Sequence, residues 1–198
     1  MYIRYLLLVF LLFNVTSCSD KKVSIYNYEG TFNSEKGGTL IDAMSGEPSN
    51  LISMIAGDSA SSAISGNIFN KLIKYDKNLE LAPELADKWT ISGDQKTITF
   101  YLKKNLQWAD GHSLTSDDVL FTWKLVTDDK TRTPYESDYK LVDKAEALDP
   151  FTFRVNYKKA YAPALDSWAS LQILPKHILK DEDINHTFFS RKPTGSSY

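Results

Sequence analysis

Apolar and polar positions alternate from Lys96 to Leu102, with Ile98, Phe100 and Leu102 on one side and Thr97, Thr99 and Tyr101 on the other. A period of two is the mark of a half-buried strand. Residues 89–92 read as its partner, with Gly93-Asp94 as the joining turn of a hairpin. A second hairpin runs from Leu141 to Leu148, turns at Asp149-Pro150 and returns through Phe151, Phe153, Val155 and Tyr157. Between the hairpins the period changes. After the turn signal Asp110-Gly111, Thr115 and Asp118 have the spacing of a capping box, and Val119, Leu120, Trp123 and Val126 predict the buried stripe of a helix.

The flanks are less regular. Residues 39–44 suggest a short strand, which the breaker run Gly46-Glu47-Pro48-Ser49-Asn50 ends. Residues 51–55 and 60–73 suggest helix, with Ile64, Ile68, Phe69 and Leu72 on one face. Tyr75 to Asn78 reads as a turn, and Pro83 to Ala86 as a short helical turn leading to Trp89. Residues 164–171 predict a further helix, and Leu174 to Leu179 opens another element before the loop Pro193-Thr194-Gly195-Ser196-Ser197-Tyr198. The chain contains no internal repeat and no low-complexity tract.

Composition narrows the class. The 198 residues suit one domain or one and a part. The hydrophobic share of 42% and charged share of 24% are those of an ordinary globular protein, and the net charge of −2 supplies no basic footprint for nucleic acid. The N-terminus changes the picture more. Arg4 precedes the apolar run Leu6 to Phe13, which is shorter than the ~20 residues a membrane span needs and fits the apolar region of a secretory signal. Val15-Thr16-Ser17-Cys18 resembles the lipobox of bacterial lipoproteins, in which the cysteine is diacylated and becomes the mature N-terminus. Cys18 is the lone cysteine, so an intramolecular disulfide is excluded. Residues 18–38 then read as a lipidated Cys and a flexible polar tether ending in Gly37-Gly38.

Candidate chemistry is sparse. Of His112, His177 and His186, no two have the i, i+4 spacing of a helical metal pair. Gly57-Asp58-Ser59-Ala60 is faintly like a serine-hydrolase nucleophile motif, but Asp58 or Ser59 serves better as a helix N-cap. Ser137-Asp138-Tyr139-Lys140 matches S-x-x-K within a polar loop. Asp110 and His112 have the residue types for acid–base work, yet Asp-Gly before a capped helix favours a structural turn. Trp89 and Trp123 sit at core positions. Trp108 and Trp168 lie near loops, where an aromatic can either pack or meet a ligand.

Several ordered blocks carry a family resemblance. Leu81-Ala82-Pro83-Glu84-Leu85-Ala86 with Trp89, Thr99 to Lys103, Trp108-Ala109-Asp110-Gly111, Leu114 to Val119, and Leu174-Pro175-Lys176-His177 resemble the extracellular solute-binding protein family 5. This family includes the oligopeptide-, dipeptide- and nickel-binding components of ABC importers. Gly46 to Leu51 resembles the loop after its first strand, and Pro193 to Tyr198 its P-x-G-[ST]-G-P-Y segment, with Ser197 at the usual proline. The resemblance implies an α/β, periplasmic-binding-protein-like (type II) two-lobed clamp. Of this clamp the chain holds only the N-terminal lobe portion, residues 39–198, with an inserted hairpin-rich subdomain over about residues 60–165. Residues 1–17 are then a lipoprotein signal peptide. The implied role is capture of peptides or related small solutes outside the cytoplasmic membrane, at the periplasm or outer cell surface, and delivery to permease subunits by a lipid-anchored monomer without a cofactor. Ligand contacts are expected from Glu47, Pro48, Ser49, Asn50 and Trp108, and catalysis from no residue. The alternatives are a truncated remnant of such a protein and a secreted hydrolase using Ser59 or the Asp110/His112 pair.

Overall fold

A computed structural model of the protein describes residue 41 and residues 43–197. The expected signal peptide, Cys18 and the tether lie outside the described residues, as do residues 39, 40 and 42 of the first expected strand. Residues 43 and 44 are exposed and belong to no strand. No helix among the described residues is long and apolar enough to cross a membrane.

Both hairpins form, and they join into one antiparallel sheet. Strand β3 (Ala86–Ile91) pairs with β4 (Thr97–Leu102), β4 with β7 (Thr152–Tyr157), and β7 with β6 (Val142–Asp149). The register sets Phe100 opposite Phe153 and Ile98 opposite Val155, so one face is a continuous apolar surface. Phe100, Phe153 and Val155 are fully buried, whereas Phe151 falls in the turn and is exposed. The first hairpin turns differently from expectation. Its left-handed residue is Gln95, at φ 57°, rather than Gly93, and Asp94 ties the turn by accepting from the Ser92 hydroxyl and the Lys96 N–H.

Two short elements precede the sheet: helix α1 (Ser59–Ser65) and the ribbon β1 (Ile73–Tyr75) with β2 (Leu81–Pro83). Helix α1 is shorter than the period suggests. It stops at Gly66, and Phe69 and Leu72 enter the core from non-helical backbone. Pairing wins over helix here because the Lys71 and Leu72 carbonyls accept from Leu85 N–H and Ala86 N–H. The same bonds set residues 83–86 as the end of β2, a bend at residues 84 and 85 and the start of β3, instead of a helical turn. Residues 51–55 form turns that bury Ile52 and Met54.

Helix α2 (Ser116–Val126) follows the short strand β5 (Gln107–Trp108), with Thr115 as N-cap, and the Thr115 N–H donates to the Asp118 carboxylate at 2.8 Å. Its buried face is Val119, Thr122 and Val126, with Leu120 and Trp123 half-buried beside them. Thr122, a polar residue absent from the expected stripe, lies fully buried because its hydroxyl donates to the Asp118 carbonyl and accepts the Leu174 N–H at 2.9 Å. Helices α3 (Ala164–Ser170) and α4 (Lys176–Leu179) flank a buried extended segment, residues 171–175. Strand β8 (Ser196–Ser197) closes on β5. A Cβ on Gly195 would stand 2.7 Å from the Ile68 carbonyl oxygen, so the backbones meet there only because this residue is glycine.

Trp168 on α3 anchors the core. Its ring packs at 5.2 Å from Phe153, 5.9 Å from Phe100 and 5.8 Å from Tyr139, and its indole N–H donates to the Tyr157 hydroxyl at 2.9 Å. Burial pushes the Tyr157 hydroxyl up to about 12, so it stays neutral and available.

Two substitutions test this packing. T122V keeps the shape and leaves the Leu174 N–H without an acceptor, and Y157F does the same to the Trp168 indole. Each should lose about 1–3 kcal/mol in equilibrium urea unfolding, while Y161F, at a half-buried ring, should stay near wild type.

Candidate functional site

The expected ligand loop is shaped by the start of α1. Asp58 is the N-cap: its carboxylate accepts the Ser61 N–H at 2.7 Å and the Ser61 hydroxyl at 2.7 Å. The Ser49 hydroxyl donates to the same carboxylate, and the Asn50 N–H donates to the Ser61 hydroxyl at 3.2 Å. Asn50 in turn accepts the Ile52 N–H through its side chain at 2.8 Å, and the Leu51 N–H reaches the Ser190 carbonyl. Ser49 and Asn50 are thus pinned, while Glu47 projects as an exposed carboxylate and Pro48 is half-buried. The arrangement presents an acid on a loop whose stem is rigid. The Asp58 carboxyl is held well below the usual carboxylate range, first by the Ser49 hydroxyl and then by the Ser61 N–H and hydroxyl.

Behind α1 lies a cleft of about 240 Å³ that combines Met54, Val126 and Leu171 with Lys71, Asp138 and Gln172. It is smaller than the ~300–1,000 Å³ that usually encloses a small molecule. None of Glu47, Pro48, Ser49 or Asn50 lines it. The expected site residues therefore do not converge on one cavity. Trp108 is elsewhere, at 1% exposure, with its indole N–H buried and without a hydrogen-bond partner. It points toward the Asp118 carboxylate, short of hydrogen-bond geometry. Trp168 is fully buried, which answers its two readings in favour of packing.

The other chemical candidates fall into separate places. Ser59 is the exposed first residue of α1, and the carboxylate beside it is committed to capping. In the S-x-x-K stretch, Ser137 contacts Asp138 and Lys140 pairs with Glu136 at 3.0 Å. Asp110 and His112 do meet, at 3.3 Å across the turn that Gly111 makes at φ 88°. A partner unforeseen from spacing joins them: His177, at the start of α4, lies 2.7 Å from Asp110 and stacks on His112 with ring centroids 4.1 Å apart. The His177 hydrogen bond holds the Asp110 carboxyl down to about 2. The histidines lie 65 positions apart in the chain, so only the fold reveals the cluster.

With this geometry in hand, the likeness to known proteins is direct. Residues 80–197 match the bacterial extracellular solute-binding proteins, family 5 (middle). The chain is 30% identical over 191 residues to the oligopeptide-binding protein AppA of Bacillus subtilis, covering 92% of this chain and 35% of that protein. Among solved structures, B. subtilis AppA in complex with a nonapeptide superposes with a TM-score of 0.72 at 28% identity, over 77% of this chain and 31% of that one. CtaP of Listeria monocytogenes, an ABC transporter substrate-binding protein, superposes at 0.74 and 30% identity, over 81% and 33%. The chain belongs to family 5 of the bacterial extracellular solute-binding proteins, and its fold is the α/β, type II periplasmic-binding-protein-like one. It spans about a third of the length of these relatives.

The capped loop generates a pH test. Because the Asp58 carboxyl titrates lower when folded than when unfolded, its contribution is complete above the unfolded value of about 3.9 and is lost as pH falls below it. Urea midpoints of wild type and D58N should differ at pH 7 and converge as the pH drops below about 4. A constant gap at every pH would contradict the capping role.

Proposed function

We propose that this chain is the N-terminal portion of a lipid-anchored solute-binding component of an ABC importer. It captures peptides or related small solutes outside the cytoplasmic membrane, at the periplasm or outer cell surface, and delivers them to the permease subunits. The observation that carries this reading is the 30% identity to an oligopeptide-binding protein over 92% of the chain. The pinned loop with the exposed Glu47 supports it physically, since a carboxylate on a rigid stem can pair with a peptide's amino group at little ordering cost.

In this reading Glu47, Pro48, Ser49 and Asn50 meet the ligand, Glu47 by charge and the rest by the backbone they hold in place. Trp108 acts from beneath, as packing for the Asp110-Gly111 corner. An inserted subdomain over about residues 60–165 carries the four-stranded sheet, and residues 1–17 form a signal that ends before a diacylated Cys18. The protein works as a monomer, needs no cofactor and binds no nucleic acid. Two acyl chains on Cys18 suffice for stable attachment.

The test is calorimetric titration of peptides of three to nine residues into the protein, alongside radiolabelled palmitate incorporation in a bacterial host. Wild type should bind at least one peptide pool, E47A should weaken that binding about ten-fold through loss of a charge-assisted contact, and C18S should abolish labelling. Heats of dilution only, across all peptide pools, would sink the peptide reading.

A further inference from the structure

We propose that Asp110, His112 and His177 form a surface metal site for a borderline divalent cation, with zinc as the representative ion. The site is distinct from the proposed solute loop and does not depend on it. Each residue offers one ligand atom, and the three atoms lie within 4.8 Å of one another. His177 Nε2 is 2.7 Å and His112 Nδ1 3.3 Å from the Asp110 carboxylate oxygens. Tetrahedral zinc, with bonds of about 2.0–2.2 Å to nitrogen and carboxylate oxygen, wants its ligand atoms ~3.4 Å apart. The carboxylate–imidazole spacings already approach that value, and the two imidazoles need a modest rearrangement.

That rearrangement is available. The rings stack with planes 21° apart, so their in-plane lone pairs run side by side and do not yet converge. The His112 side chain is 63% exposed on the turn and can rotate, whereas His177 at 25% and Asp110 at 32% are held by α4 and by the turn. The N–H that now faces Asp110 is given up on binding, by tautomer shift or by loss of a proton. The surroundings do not compete for the place. Lys176 turns its amine toward Asp117 at 3.4 Å, and Lys180 is 3.9 Å from Asp181. Asp118 spends its oxygens on the Thr115 and Lys176 N–H groups, which leaves a two-histidine, one-carboxylate set with a fourth position open to water. Two imidazoles and a carboxylate select zinc, copper or nickel over calcium and magnesium.

A cation here would join the β5 turn to the start of α4, elements 67 positions apart. Its effect is therefore visible in stability as well as in binding. The test is titration of the protein with zinc chloride, read by calorimetry, by histidine ring NMR and by thermal melting. His186, which pairs with Asp183 at 2.8 Å on an exposed surface, provides the control. Wild type should bind one zinc ion, shift the His112 and His177 ring signals, and melt higher with zinc. H112A, at an exposed residue, should fold normally and lose about ten-fold or more in affinity, D110N should do the same, and H186A should match wild type. Unchanged binding in H112A, zinc held by a double H112A/H177A variant at Cys18 or elsewhere, or no saturable binding in wild type would each overturn the site.

Discussion

The structure depends on a requirement for hydrogen bonds in its interior. Residues 171–175 run extended and buried, and among the described residues their backbone pairs as a strand only at the isolated bridge between Gln172 and Lys71. Each N–H must find a partner away from water or cost about 1–3 kcal/mol. The Ser167 carbonyl takes the Leu171 N–H, the Asn70 carbonyl that of Ile173 and the Thr122 hydroxyl that of Leu174, and just past the segment the Asp118 carboxylate takes the Lys176 N–H at 2.9 Å. Asp118 is consequently a capping residue and a tertiary acceptor at once. Burial raises its carboxyl above the ordinary value, and the two N–H groups that bond it oppose that rise.

This fixes much else. Holding α2 against residues 174–176 places α4, and with it His177, over the Asp110-Gly111 turn. On the opposite side, residues 70–72 are held by the Glu84 carboxylate, which accepts from Asn70 and from the Lys71 N–H. The Leu81 to Ala86 block thereby acts as scaffolding. The Ser196 hydroxyl and N–H close the arrangement on Asn70 and Ile68. The ordered blocks that mark the family are mainly the points where distant segments satisfy each other's backbone. The loop at Glu47, by contrast, leaves its carboxylate in solvent.

Legibility followed the range of the interactions. The alternation in β4 and β7 was readable because a sheet with one buried face imposes a period of two wherever it lies. The capping box at Thr115 and the N-cap at Asp58 were readable because they are bonds between residues three apart. The helix expected over residues 60–73 was overextended, because the apolar spacing of Ile64, Ile68, Phe69 and Leu72 suits a helix while the actual partners of residues 71 and 72 are residues 85 and 86. Thr122 was missed since nothing local distinguishes a buried threonine with a distant acceptor role from a surface one. The two-way reading of Trp108 and Trp168 had the same origin: proximity to a loop in sequence does not report depth in the fold.

The sequence by itself determined the class of protein, through the ordered motif blocks, and the local elements whose bonds close within a few residues. Tertiary structure decided which of its polar residues are structural and which are free. It committed Asp58, Asp118 and Glu84 to the backbone, left Glu47 in solvent, and brought His177 onto Asp110 and His112. The physical reason is that hydrogen-bond satisfaction and side-chain convergence are properties of space, set by segments as far apart in the chain as Leu51 and Ser190 or Asn70 and Ser196, and no local pattern encodes them.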